Sequence, residues 1–392
     1  MLIIRTSVII PSHSMNYKAL TIAYVSDAIY PYNKGGKEKR IYELSTRLAK
    51  QGYQVNIYTM NWWNNKHERK IENKVHLHGI SKLYPLYSGE RRSIRQAILF
   101  ALSCFKLLRE DFDIIDVDHM PHLVLFPLKI VTVLKRKKLL VTWNEVWGKA
   151  YWQQYLGKLG TIAYLIEYLS ARMPDEIIAV SEHTKTKLIK DLRLKQTITV
   201  VPNGIDMSLI KSVKPAKQKS DVIFAGRLLS HKNVHILISA IHLLKPNYPN
   251  IKCVIIGKGP EEYALKQLTK NLKLEWNIIF YDFLKKDNDL YALMKASRVF
   301  AFPSTREGFG IVALEANAAG VPVVTTNHAD NATKDLIKKR RNGDTIQLNK
   351  KKLAETIQYY LSNKTKTKDL IQLTSNYDWN YITKRVEEVY LR

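Results

Sequence analysis

The chain has few cysteines, a deficit of acidic residues and no long apolar run. Its two cysteines, Cys104 and Cys253, stand far apart in apolar surroundings. They read as buried thiols and exclude a disulfide framework. No Cys/His cluster has the spacing of a zinc site, so no metal is expected. No stretch reaches the roughly 20 apolar residues that a bilayer-spanning helix needs. The first residues, MLIIRTSVIIPSHS, lack the cationic start, apolar core and cleavage layout of a secretory leader. Met15 lies just before the first strand pattern, so residues 1–16 read as an extension, with Met15 as an alternative start. The loop after that strand lacks G-x-G-x-x-G, which argues against a nicotinamide or flavin dinucleotide site. Against 62 Lys and Arg there are only 35 Asp and Glu, a net charge of +27. Such a surplus points to nucleic acid, an anionic membrane surface or anionic substrates, or else serves only solubility. No recognisable DNA or RNA module is present, so nucleic acid is not the expected partner.

What is present is an ordinary globular composition, 46% hydrophobic and 25% charged over 392 residues. That is enough for two α/β domains with substantial cores. Strand patterns fall at 21–26, 55–60, 113–117, 139–143, 176–181 and 197–201, with helices between them, the first at 37–51. A basic, proline-interrupted linker, KSVKPAKQKS, covers 211–220. A second series follows, with strands at 221–225, 251–256, 277–281, 298–302, 321–325 and 344–348. Its helices fall at 233–244, 261–271, 288–296, 310–319 and 351–361. Alternation of this kind implies parallel sheets. A helix over 91–109 carries the apolar stripe Ile94, Ala97, Ile98, Ala101, Leu102 and Phe105 beside several arginines. It is expected to face the core rather than a membrane. The chain closes on a helix at 377–392 with Trp379, Ile382, Val386 and Tyr390 on one face.

The most informative stretch is 304–320, STREGFGIVALEANAAG, between two apolar strands. It reads as a glycine-containing loop running into a helix at a strand's carboxyl end, where open α/β sheets bind ligands. Backbone N–H groups of Phe309, Gly310 and Ile311 then form an anion site at the helix start. Glu315 leans back toward that site, because helical side chains tilt toward the N-terminus. There it suits the two hydroxyls of a ribose, and Glu307 in the loop suits a sugar hydroxyl. Gly226 and Arg227 end the first strand of the second series, and Lys232 precedes its first helix. Two cations at such a place suit a diphosphate. Gly257, Lys258 and Gly259 leave bare backbone beside the next strand. Gly35 and Gly36 allow close backbone approach or form a tight turn. His119 and His122 follow the 113–117 strand. The aromatic run from Trp143 through Asn144 and Glu145 to Tyr155 either stacks on a sugar or acyl chain or forms a packed corner.

The segments VVPNGID, FAGRLLSHKN, VIIGKGP, FYDF and FPSTREGFGIVALEANAAGVPVV together resemble the retaining glycosyltransferases of the large family that includes sucrose and glycogen synthases and bacterial mannosyltransferases, a family 4-like group. That family carries two glutamates separated by seven residues, matched by Glu307 and Glu315. The resemblance implies a GT-B fold, α/β, with two Rossmann-like domains of parallel sheet facing a central cleft. Residues 17–207 would form the acceptor domain, rejoined by a crossover helix at 376–392, and 208–375 the donor domain. Glu315 would hold the ribose and Glu307 the transferred sugar. Arg227 and Lys232, with backbone at 309–311, would neutralise the diphosphate. Backbone near 257–259 and Phe283 would border the base. Trp143, Asn144, Glu145 and His122 would lie on the acceptor side. The sequence departs from the family where Asn144 replaces a histidine and where Asp116 and Asp118 replace a His-x-His pair, with His119 as the substitute. It departs again at NHADNATKD after Val324. The implied activity is retaining, metal-independent transfer from a nucleotide sugar, with no cofactor, to a hydroxyl on a sugar, lipid or lipid-linked glycan at a cytoplasmic membrane face. A sugar-nucleotide epimerase of the same fold is the alternative, and a basic nucleic-acid-binding protein a more distant one.

Overall fold

The computed structural model describes residues 20–63, 68–88, 91–284, 286–363 and 365–392. The expected extension at 1–16 lies outside them. Two sheets organise the chain. In the first, Thr21–Val25 sits at the centre, with Gln54–Met60 and Val75–Ser81 on one side. Ile114–Asp118, Lys138–Trp143, Glu176–Ala179 and Ile198–Val200 follow on the other. All pair in parallel except the edge strand Arg69–Glu72. The second sheet is wholly parallel, ordered Ile278–Tyr281, Cys253–Ile256, Ser220–Ala225, Ser297–Phe302, Val323–Thr326, Gly343–Ile346. Strands covered on both faces must be apolar throughout, and the side chains at 22–25 and 253–256 are accordingly buried. Each sheet reverses its order beside its first strand, and at such a point loops diverge and leave a crevice.

Helix Gly36–Lys50 packs on one face of the first sheet with the C-terminal helix Trp379–Tyr390. Helices Ile94–Ser103, Leu125–Lys135 and Glu182–Lys190 contribute to the cluster on the other. The last helix follows the second domain in sequence yet belongs to the first in space. Trp379 is buried against Gly204, and the Tyr390 hydroxyl bonds Tyr24 and Asp116.

Two features differ from the sequence reading. Val75–Ser81 and Arg69–Glu72 form strands where none was expected; His76 and His78 interrupt the apolar signal of VHLHGIS. The 91–109 segment begins as a hairpin strand, Arg91–Arg92 against Tyr87–Ser88. Its helix starts after Ser93, whose hydroxyl accepts from the Gln96 N–H at 3.2 Å, and tightens to a 3-10 helix over Cys104–Arg109. The expectation that its stripe faces the core is overturned. Of that stripe only Ala101 is buried; Ile94, Ile98, Leu102 and Phe105 are exposed, and the sheet takes Phe100, Cys104 and Leu107 beside Ala101. This segment is apolar on two sides, and spacing alone does not say which side meets the sheet. Among the described residues no helix is long and apolar enough to cross a membrane.

Candidate active site

Two helix starts meet between the sheets. Helix Gly36–Lys50 is capped by Gly35, and helix Ile311–Ala318 by Gly310. They approach so closely that a Cβ on Gly36 would lie 3.1 Å from Ile311 Cδ1. Each start presents unpaired N–H groups and the positive end of a helix dipole. Gly310 has φ 97°, and a Cβ there would fall 2.2 Å from Thr333 Oγ1, so only glycine fits. Phe309 is buried against Tyr377 and brings its backbone, not its ring, to the helix start.

Cations surround this point. Lys232 forms an ion pair with Glu307 and lies over the Phe302 ring at 4.9 Å. Arg227 donates to the Tyr87 hydroxyl at 2.6 Å across the cleft. Lys37, in the first turn of its helix, bonds Asp27 at 3.0 Å and also Asp118. Burial opposes the charge on Lys37, but Asp118 and Asp27 outweigh it and raise its pKa. Burial would likewise raise Asp118, yet Lys37 holds it well below the usual carboxylate range. Asp27 also takes Arg92 at 2.7 Å, so this wall is a closed charge network.

The glycines of the second sheet act through backbone approach. A Cβ on Gly257 would fall 1.9 Å from the Gly226 carbonyl oxygen, and one on Gly259 2.2 Å from that of Leu228. Lys258 pairs with Asp282 at 2.8 Å on an open rim, with Phe283 partly exposed in the adjoining loop. Glu315 receives a hydrogen bond from the Tyr291 hydroxyl at 2.7 Å.

On the first-domain wall, His119 Nδ1 accepts from the Asn144 N–H at 3.3 Å, while its buried Nε2 has no partner. The Asn144 amide donates to Asp118 at 3.1 Å. Glu145 lies 3.5 Å from Arg306, whose guanidinium stacks on Tyr151 at 3.8 Å and also lies over Trp147. The acceptor-side expectation does not hold for Trp143 and His122. Both are buried in an aromatic corner with His119 and Trp152, so neither ring has a free face for a ligand. Burial, then His119, holds the His122 pKa far below its ordinary value and keeps it neutral.

Sequence reasoning missed four residues. Tyr291 reads as core within DNDLYALMK. Thr333, buried with an unpartnered hydroxyl beside Gly310, lies in a stretch that fits no motif. Arg306 and Tyr87 contact the opposite domain, which local spacing does not reveal.

Two Rossmann-type domains with their switch points opposed across a cleft make this a GT-B fold. Residues 34–209 match the sequence model for Glycosyltransferase Family 4, and 207–376 that for Glycosyl transferases group 1. Together the two matches cover most of the chain, and the protein belongs to these glycosyltransferases. It is 27% identical over 321 residues to an uncharacterized glycosyltransferase of Haemophilus influenzae, covering 80% of this chain and 83% of that one. It is 26% identical to a phosphatidylinositol N-acetylglucosaminyltransferase chain of Homo sapiens, covering 78% of this chain and 61% of that one. Among solved structures, sucrose-phosphate synthase from Thermosynechococcus elongatus aligns with a TM-score of 0.77 at 18% identity, over 95% of this chain and 98% of that one. Anabaena HepE in complex with UDP aligns with a TM-score of 0.71 at 18% identity, over 94% and 99%.

Proposed function

We propose that this glycosyltransferase moves a sugar from a nucleoside-diphosphate sugar to a hydroxyl acceptor, with retention of configuration and without metal or cofactor. The observation that carries this reading is the meeting of the Gly36 and Ile311 helix starts beside Arg227 and Lys232. Breaking the anomeric C–O bond leaves negative charge on the diphosphate and positive charge on the sugar. Fixed N–H dipoles and cations stabilise that anion without reorganising. Lys232 and Glu307 neutralise each other. A diphosphate would take over Lys232 and release Glu307 to accept from a sugar hydroxyl. Glu315 would take the ribose hydroxyls, steadied by Tyr291. Retention fits attack from the face the leaving group departs, with the departing phosphate receiving the acceptor's proton.

A UDP-bound structural neighbour makes UDP-sugars the first donors to try. The relative named for N-acetylglucosamine transfer to phosphatidylinositol, with the +27 charge, favours a lipid or lipid-linked acceptor at a cytoplasmic membrane face. A thermal-shift panel of UDP-, GDP- and ADP-sugars tests the donor. A ligand at about 100 times its dissociation constant adds about 2.7 kcal/mol and raises the midpoint by several degrees. No shift with any of them overturns the reading. Arg227→Ala and Lys232→Ala should each raise the barrier by about 2–4 kcal/mol, the scale of one lost oxyanion donor. Near-normal turnover in both removes their assigned role. An epimerised free donor without acceptor would identify the epimerase instead.

A further inference from the structure

Most exposed apolar residues of a protein stand singly, and contiguous apolar surface marks a binding face. In the first domain they gather on three helices of one layer. Helix Ile94–Ser103 exposes Ile94, Ile98 and Leu102, and the turn after it Phe105. Helix Leu125–Lys135, packed beside it, exposes Ile130, Val133 and Leu134. Helix Gly160–Ser170 exposes Ile162, Leu165 and Leu169. Leu102, Leu134 and Ile162 leave 58%, 66% and 58% of their surface open, so these are outward faces and not frayed core.

Charge selects the occupant. Residues 91–109, 122–138 and 146–166 hold no Asp or Glu. Of the glutamates that flank these runs, Glu167 is buried and accepts from the Trp147 and Gly148 N–H groups, Glu110 pairs with Arg69, and Glu145 pairs with Arg306. Among the described residues Arg95, Lys106, Arg109 and Lys158 are exposed with no carboxylate partner. A second copy of this chain would set these cations against their own kind. An anionic bilayer matches both features, taking the apolar side chains at the acyl boundary and the cations at its headgroups.

We propose that this three-helix face seats the protein on anionic phospholipid bilayers. The first of these helices starts at the cleft, since Arg92 bonds Asp27 and its N–H donates to Tyr155. The seat therefore brings the acceptor wall to the headgroups. That consequence rests on the proposed transfer to a lipid-borne hydroxyl; the surface itself does not.

The test is co-sedimentation of the full chain with vesicles of phosphatidylcholine alone or with about 30% phosphatidylglycerol, an anionic surface. At least tenfold stronger partition into the anionic vesicles is expected. Ile98→Glu, Leu134→Glu and Ile162→Glu should each lower it about tenfold or more, since each puts a charge at the acyl boundary. Arg95→Ala and Lys106→Ala should each lower it about fivefold. Trp276→Glu, at an exposed site of the second domain, should change nothing. The thermal shift with a UDP-sugar should survive in all these variants, which shows them folded and reads the donor site separately. Failure to sediment with either vesicle, or equal loss with Trp276→Glu, overturns the proposal. A dimer that Leu134→Glu splits would assign the face to a second copy and overturn it too.

Discussion

Burial pushes the Glu315 carboxyl up to about 7; the Tyr291 hydroxyl draws it down and Asp287 adds to the rise. The folded value lies above the unfolded one, so between about pH 4.5 and 7 the folded chain holds a proton that the unfolded chain has released. Stability from this group is complete below that window and is lost as pH rises through it. Glu315→Gln should therefore raise the melting temperature of the ligand-free protein at pH 8 and confer no gain at pH 4. With the proposed ribose role of Glu315, the same change should weaken donor binding about tenfold or more, because a charged acceptor of hydroxyls would be gone. Melting curves at the two pH values, with donor titrations, check both halves. Wild-type donor affinity should fall as pH drops below 7, where Glu315 is protonated in the empty cleft. Gly310 is constrained differently. Its positive φ and the nearness of Thr333 make Gly310→Ala cost about 1–3 kcal/mol, read as a lowered melting temperature, together with lost donor binding.

At the level of elements, the C-terminal helix shows how local pattern and long-range packing divide the information. Its face of Trp379, Ile382, Val386 and Tyr390 was legible from helical spacing. Its seat against Gly204 and Tyr24 follows only from the folded chain. Trp379→Ala should cost about 3–5 kcal/mol, because the first domain cannot close over the void. Chemical denaturation checks this, with Tyr390→Phe as a milder comparison. The strands of the second sheet were legible because parallel strands buried on both faces are apolar at nearly every position. The 304–320 stretch was legible because a glycine turn, a helix start and two carboxylates share one local segment. The Lys232–Glu307 pair joins residues 75 apart in sequence, and the Arg306–Tyr151 stack joins two domains. Neither leaves a periodic trace. The 91–109 helix misled for a related reason: it has two apolar faces, and only packing against the sheet chooses between them.

Across the whole molecule, the two domains touch at several places around the cleft. Lys187 pairs with Asp330 at 2.7 Å, Lys39 pairs with Asp287, Ser181 donates to the Gly308 carbonyl at 2.8 Å, and Arg306 is clasped by Glu145 and Tyr151. The ion pairs are partly exposed and worth no more than about 1 kcal/mol each. They are also screened once the Debye length falls toward about 4 Å, near 0.5 M salt. The two helix starts repel each other as like dipole ends until an anion lies between them. The closed arrangement should therefore be weakly held when empty and firmly held with donor. Small-angle scattering should show the radius of gyration rising when salt is raised to about 0.5 M without ligand, and falling again when a binding nucleotide sugar is added. Arg306→Ala should open the empty protein already at low salt, because it removes both the Glu145 ion pair and the stack on Tyr151 between the domains. A radius that ignores salt, donor and Arg306→Ala alike would mean that the domains are fixed. Donor and acceptor would then have to enter an already closed cleft, and Arg227 would have to leave Tyr87 without any domain movement.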